Sequence, residues 1–291
     1  MPAGRWPGTG TGTGELVFAH DFVRNAYLAG TFIALACGTV GWFVVLRAQV
    51  FAGDALSHVA FVGAIAAAVV GLDEVLGIFA LTLALAAGMA ALGGRARADD
   101  VVIGILFSWI LGLGLLFITL LATSASGGSG IATANTLFGS IFSLGGAQAR
   151  LAAVVGLLSA GAVIAGFRPL LFSTLDPEVA SVRGIPVRAL GAGFLLLIAL
   201  VTAESTQAIG ALLLLGLLAA PAGAAHRLTS RPYHGIALSA LLAVGAMWGG
   251  LALSYAIPSI PAGTAVIGLA AGAYALALLA SRRRRPAAQA A

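Results

Sequence analysis

The chain has 291 residues, 60% of them hydrophobic and only 9% charged, with a mean hydropathy of +1.06. Soluble domains carry about 25% charged residues, so the composition excludes a soluble globular protein and indicates a polytopic membrane protein. All 15 basic residues are arginine. A phosphate-binding loop needs Gly-Lys-Ser/Thr, so any ATP-driven activity must borrow its ATPase from another subunit. The one cysteine, Cys37, excludes a disulfide framework and a thiolate cluster. The net charge of +5 is not a nucleic-acid signal, because four of the charges form the tail Arg282 to Arg285 and others cap apolar segments, as topology determinants do.

In chain order, residues 1–14 are Gly/Thr-rich and of low complexity, and 15–25 mix charged and apolar side chains suited to a membrane surface. Nothing of signal-peptide type follows Arg5. A spanning helix needs about 20 apolar residues. Spans are expected at about 26–46, 55–72, 75–92, 101–122, 149–167, 189–204, 208–226, 235–255 and 263–280. Leu137 to Gly145 is apolar but too short to cross, which fits a re-entrant piece. The sequence therefore predicts an all-α, polytopic transmembrane bundle of eight or nine spans: an N-terminal segment 1–25, a transmembrane body 26–280 and a basic tail 281–291.

Arginine placement gives the orientation. Arg47, Arg95, Arg97, Arg168 to Arg188, Arg227, Arg231 and the tail fall on one side, which the positive-inside rule makes cytoplasmic. Arg24 and Arg150 are exceptions near outer ends. Nine spans place the N-terminus outside; eight place it inside.

One stretch carries ionisable chemistry inside an apolar run, Gly53-Asp54-Ala55-Leu56-Ser57-His58. Positions i and i+4 share a helix face about 5–6 Å apart. Ionisable groups in membrane helices are costly and mark function by default. A carboxylate beside an imidazole suits a divalent transition metal. The competing reading makes Asp54 a helix N-cap and His58 an interfacial histidine. A closed zinc site usually has four ligands. Two copies related by a two-fold axis would bring Asp54 and His58 together from both, with Ser57 beside the pair facing its symmetry mate.

The stretch between Arg168 and Arg188 is the second informative one. Asp176 is suited to an N-cap, Pro177 to the first helical position, Glu178 to the positive dipole end and Gly184 to termination. A short, well-capped helix between two spans serves either as a plain connector or as a docking element.

Four fragments in order resemble the permease subunits of metal-ion ABC importers, the zinc/manganese/iron family, over about Tyr27 to Leu279. They are Phe43-Val44-Val45-Leu46-Arg47 with Gly53-Asp54-Ala55-Leu56-Ser57-His58; Asp176-Pro177-Glu178 with Ala180 and Gly184; Ile209-Gly210-Ala211-Leu212-Leu213 with Ala219-Ala220-Pro221-Ala222-Gly223; and Leu253-Ser254-Tyr255 with Pro258, Pro261 and Gly263. Ser140 departs from an acidic residue carried by many relatives. The resemblance implies a helical permease of the vitamin B12-importer type in the cytoplasmic membrane. It would import a divalent metal, zinc first and manganese or iron as alternatives, without a permanently bound cofactor or enzymatic activity of its own. Asp54 and His58 would handle the metal. Asp176, Pro177, Glu178, Ala180 and Gly184 would meet the ATPase. Implied partners are a cytoplasmic ATP-binding subunit, an extracytoplasmic metal-binding protein, membrane lipid and a second permease, most simply a homodimer. The rival in another class is an ATPase-independent metal channel or carrier, which has no use for a docking element.

Other features weigh less. Gly127-Gly128-Ser129-Gly130 fits an intramembrane protease fragment, but covalent catalysis would also need a base within reach of Ser129, and the fragment lies in the Ser/Gly linker Thr123 to Gly130 outside the expected spans. His226 and His234 read as interfacial. Glu204 reads as a solvated charge at the outer end of a span. Trp42, Trp109 and Trp248 read as packing or interface residues.

Overall fold

The computed structural model describes residues 21–92, 100–124 and 139–283. Residues 1–20, Arg95, Arg97, the fragment Gly127 to Gly130, Leu137, Phe138 and the tail beyond residue 283 lie outside them. The described chain is helical: α1 Asp21–Leu46, α2 Val50–Val70, α3 Glu74–Leu92, α4 Asp100–Ser124, a short 3-10 turn Ile141–Ser143, α5 Gly146–Ala165, α6 Phe167–Leu175, α7 Pro177–Val182, α8 Val187–Ile209, α9 Ala211–Leu228, α10 Pro232–Ala256 and α11 Ala262–Arg283. Among the described residues nine helices, all but α6 and α7, are long and apolar enough to cross a membrane. The first begins at Asp21, so residues 21–25 belong to the first span rather than to a surface segment.

α1 is the central column. Most of its residues are buried against α5, α8, α9 and α10, whereas α4 and α11 lie at the periphery with large apolar side chains such as Trp109, Leu115, Leu276 and Leu279 exposed. In lipid, apolar exteriors are the norm and helices are held by close packing. Glycine allows that packing. A Cβ on Gly41 would stand 2.1 Å from the Leu218 carbonyl oxygen of α9, and one on Gly63 would stand 2.4 Å from the Gly77 oxygen of α3.

The expected break between the sixth and seventh spans shifts to Gly210. Its φ of 91 favours glycine, and Gly139 packs so tightly there that a Cβ would lie 2.2 Å from the Ile209 carbonyl carbon. The Leu253-Ser254-Tyr255 fragment works locally: the Ser254 hydroxyl donates to the Ile260 carbonyl at 2.8 Å and ties off the turn into α11.

The turn between α1 and α2 decides where the ionisable pair sits. Gly41 lies five residues before the end of α1, yet it packs on Leu218, ten residues before the end of α9. At about 1.5 Å per residue the turn is drawn roughly 7 Å inside the end of α9. Gly53, three residues into α2, faces Ile198, eleven residues into α8. The difference of eight residues places the start of α2 about 12 Å inside the start of α8. Arg47 and Gln49 are buried accordingly, at 1% and 4% exposure. Arg47 is therefore not a surface topology charge but a guanidinium within the bundle.

Candidate metal pathway and coupling surface

Because α2 begins at Val50, Asp54 and His58 lie within a continuous helix. Asp54 is not an N-cap, and the capping reading falls. His58 Nε2 stands 4.0 Å from Asp54 Oδ1, with side chains 20% and 32% exposed respectively. Ligands about 2.1 Å from a tetrahedral ion stand roughly 3.4 Å apart, so a small side-chain rotation would let both reach one ion. Phe107 of α4 flanks His58 with ring centroids 5.4 Å apart and also meets Phe51, one turn before Asp54, at 6.2 Å. The pair is thus partly exposed on the face of α2 that packs beside α4. Among the described residues no third His, Cys, Asp or Glu joins it in a metal-holding group.

Ser57 turns away from that face. It is fully buried, and its hydroxyl donates back to the Asp54 carbonyl at 2.7 Å. It cannot face a symmetry mate, because one residue of helix rotates a side chain by about 100°.

The second stretch folds as its residue types dictate. Asp176 accepts from the Val179 N–H at 3.0 Å as the N-cap of α7, and Pro177 occupies the first turn. Ala180 is fully buried, and Gly184 has a φ of 79, in the left-handed region that favours glycine. Leu175, Val179 and Val182 are exposed, Val182 at 87%. An open groove of about 660 Å³ runs along Pro177, Glu178, Ser181, Val182, Pro186, Val187 and Arg188. A six-residue helix bearing apolar side chains and a carboxylate, beside a groove, offers a surface to another protein.

Residues 19–281 match the ABC 3 transport family. The chain belongs to that family. It is 30% identical over 272 residues to the manganese transport system membrane protein MntC of Halalkalibacterium halodurans, covering 93% of this chain and 91% of the relative. It is 29% identical over 264 residues to the high-affinity zinc uptake system membrane protein ZnuB of Haemophilus influenzae, covering 90% and 99%. Among solved structures it is similar to PsaBC from Streptococcus pneumoniae in complex with a Fab, with a TM-score of 0.77, 26% identity and coverage of 90% and 92%. This ABC 3 protein is a multi-pass membrane protein of the cell membrane, with the helical permease fold expected from its sequence.

Several residues behave differently from their sequence reading. Glu204 is not a solvated end charge: it is 4% exposed inside α8, and its Oε2 accepts no hydrogen bond. His226 is half-buried, stacked on Trp42 with ring centroids 4.9 Å apart, and its Nε2 stands 3.0 Å from the Trp42 carbonyl. Trp42 is 4% exposed, so it packs in the core, whereas Trp109 and Trp248 lie on the surface. Arg47 escaped notice as a core residue because an arginine ending an apolar run ordinarily marks a membrane boundary. The available signal was that only three residues separate Leu46 from the next apolar helix, too few to leave and re-enter a bilayer comfortably.

Proposed function

We propose that this chain is the membrane-spanning subunit of an ATP-driven importer of a divalent transition metal, with Asp54 and His58 as the ligands that pass the metal. The single observation that carries this reading is the i, i+4 carboxylate–imidazole pair on α2, a helix that starts inside the bundle and keeps the pair partly exposed beside α4. A second copy against that face would supply another Asp54 and His58 and complete four donors, which supports a homodimer with the pathway along its axis. Two partial ligand sets also release the metal readily once they separate.

The donor set accepts both manganese and zinc. Zinc is the expectation from sequence; the relatives' names lean towards manganese, with MntC of H. halodurans and ScaB of Streptococcus gordonii on that side and ZnuB on the other. Asp176, Pro177, Glu178, Ala180 and Gly184 build the surface that meets a cytoplasmic ATP-binding subunit, and an extracytoplasmic metal-binding protein delivers the ion. The deciding experiment is uptake of manganese, zinc and iron in parallel, by cells lacking this chain and by cells with it restored. Uptake restored for none of the three sinks the reading; the metal restored at the lowest concentration names the cargo.

A further inference from the structure

Arg47 heads the fully buried side chains by volume, and neither the metal pair nor the coupling surface accounts for it. It sits in the α1–α2 turn, seven residues before Asp54, with its guanidinium carbon 5.1 Å from the centroid of the Phe194 ring on α8. We propose that Arg47, seated on Phe194, is the positioning residue through which α8 passes movements of the α6–α7 segment to the N-terminal turns of α2, and so to Asp54 and His58. The proposal rests on the ATP-driven reading above.

α8 starts at Val187, five residues after α7 ends, and runs unbroken to Ile209. Phe194 lies seven residues along it, about 10 Å from its start. Ile198 is one turn further on the same face and stands 3.9 Å from where a Cβ on Gly53 would lie. One face of α8 therefore touches α2's segment twice, at Arg47 and at Gly53, and Gly53 immediately precedes Asp54. Ring contacts give a second link to the same segment. Phe43 at the end of α1 meets Phe194 at 6.1 Å and Phe167, the first residue of α6, at 5.5 Å. Phe194, Phe43 and Phe167 are all buried. Close-packed interiors shift as units rather than deforming smoothly, so a tilt of α8 must carry the α1–α2 turn with it or break this contact. A planar guanidinium stacks on an aromatic face as an ammonium cannot, which accounts for arginine at this position.

The test uses this chain with its partner ATPase in liposomes, reading ATP hydrolysis and manganese or zinc uptake on the same preparation. The variants are Phe194→Leu and Arg47→Lys, singly and together, with Phe194→Ala and Arg47→Met as harsher forms. Phe194→Leu and Arg47→Lys should lower metal moved per ATP about tenfold, on the scale of a desolvated cation–π contact, with ATP hydrolysis and melting temperature retained. The double change should add little to either single, because both remove one contact. A merely structural role would instead reduce uptake and hydrolysis together with the amount of folded protein. An unchanged ratio in the two conservative variants, or a double change equal to the product of the singles, overturns the proposal. Wild-type complex that hydrolyses ATP but moves neither metal overturns the importer reading itself, and this relay with it.

Discussion

The sharpest prediction concerns Asp54→Asn and His58→Ala. With 4.0 Å between Nε2 and Oδ1 and both side chains partly exposed, the pair stabilises the fold by only about 0.5 kcal/mol. Asp54→Asn is isosteric and should leave membrane insertion and melting temperature nearly unaffected, whereas His58→Ala removes a mostly buried ring packed on Phe107 and should lower the melting temperature modestly without preventing insertion. The effect on metal should be large. Removing a partner of a metal ligand typically costs about 10–100-fold in affinity; removing a direct donor from both copies should exceed about 100-fold. Metal uptake measured over a concentration series should therefore need at least that much more metal, or vanish, while the partner ATPase still turns over. The double variant should add little to uptake, since the two donors left by either single change already hold the ion too weakly for transport. Normal uptake in both single variants would refute the metal role of this stretch.

Three further outcomes follow from particular contacts. Gly184→Arg or Glu178→Lys should leave the chain in the membrane but uncouple ATP hydrolysis from uptake, because the first forces a side chain into the left-handed region at φ 79 and the second reverses charge beside the groove; normal uptake per ATP in both would remove the docking assignment. Phe51→Cys, one turn before Asp54 on the same face of α2 and 40% exposed, should join to its own symmetry mate with a short bis-maleimide, whereas Ser57→Cys, fully buried, should not; no cross-link in any nucleotide state would favour a pathway within each chain. Gly41→Leu should destabilise by about 1–3 kcal/mol or more through overpacking, since its Cβ alone would meet the Leu218 oxygen at 2.1 Å; an unchanged melting temperature would refute the close α1–α9 packing.

Much was legible before any coordinates. Apolar runs of span length, punctuated by arginine, Gly and Pro, predict eight or nine membrane helices, because in lipid only a helix satisfies its own backbone, and nine stand among the described residues. Asp176, Pro177 and Gly184 foretell α7 and its ends, because caps act over three or four residues. The i, i+4 spacing puts Asp54 and His58 on one face by helix geometry alone. What the sequence could not decide is depth and facing. A hydropathy window treats every span as starting at the membrane surface, so it leaves Asp54 near an edge. Only the packing of Gly41 on Leu218 and Gly53 beside Ile198 draws the α1–α2 turn inside the bundle. The same tertiary packing buries Arg47 against Phe194, hides Ser57, sinks Glu204 into the bundle and leaves Asp54 and His58 partly exposed beside α4. These are contacts between residues up to about 180 positions apart, and no local pattern encodes them.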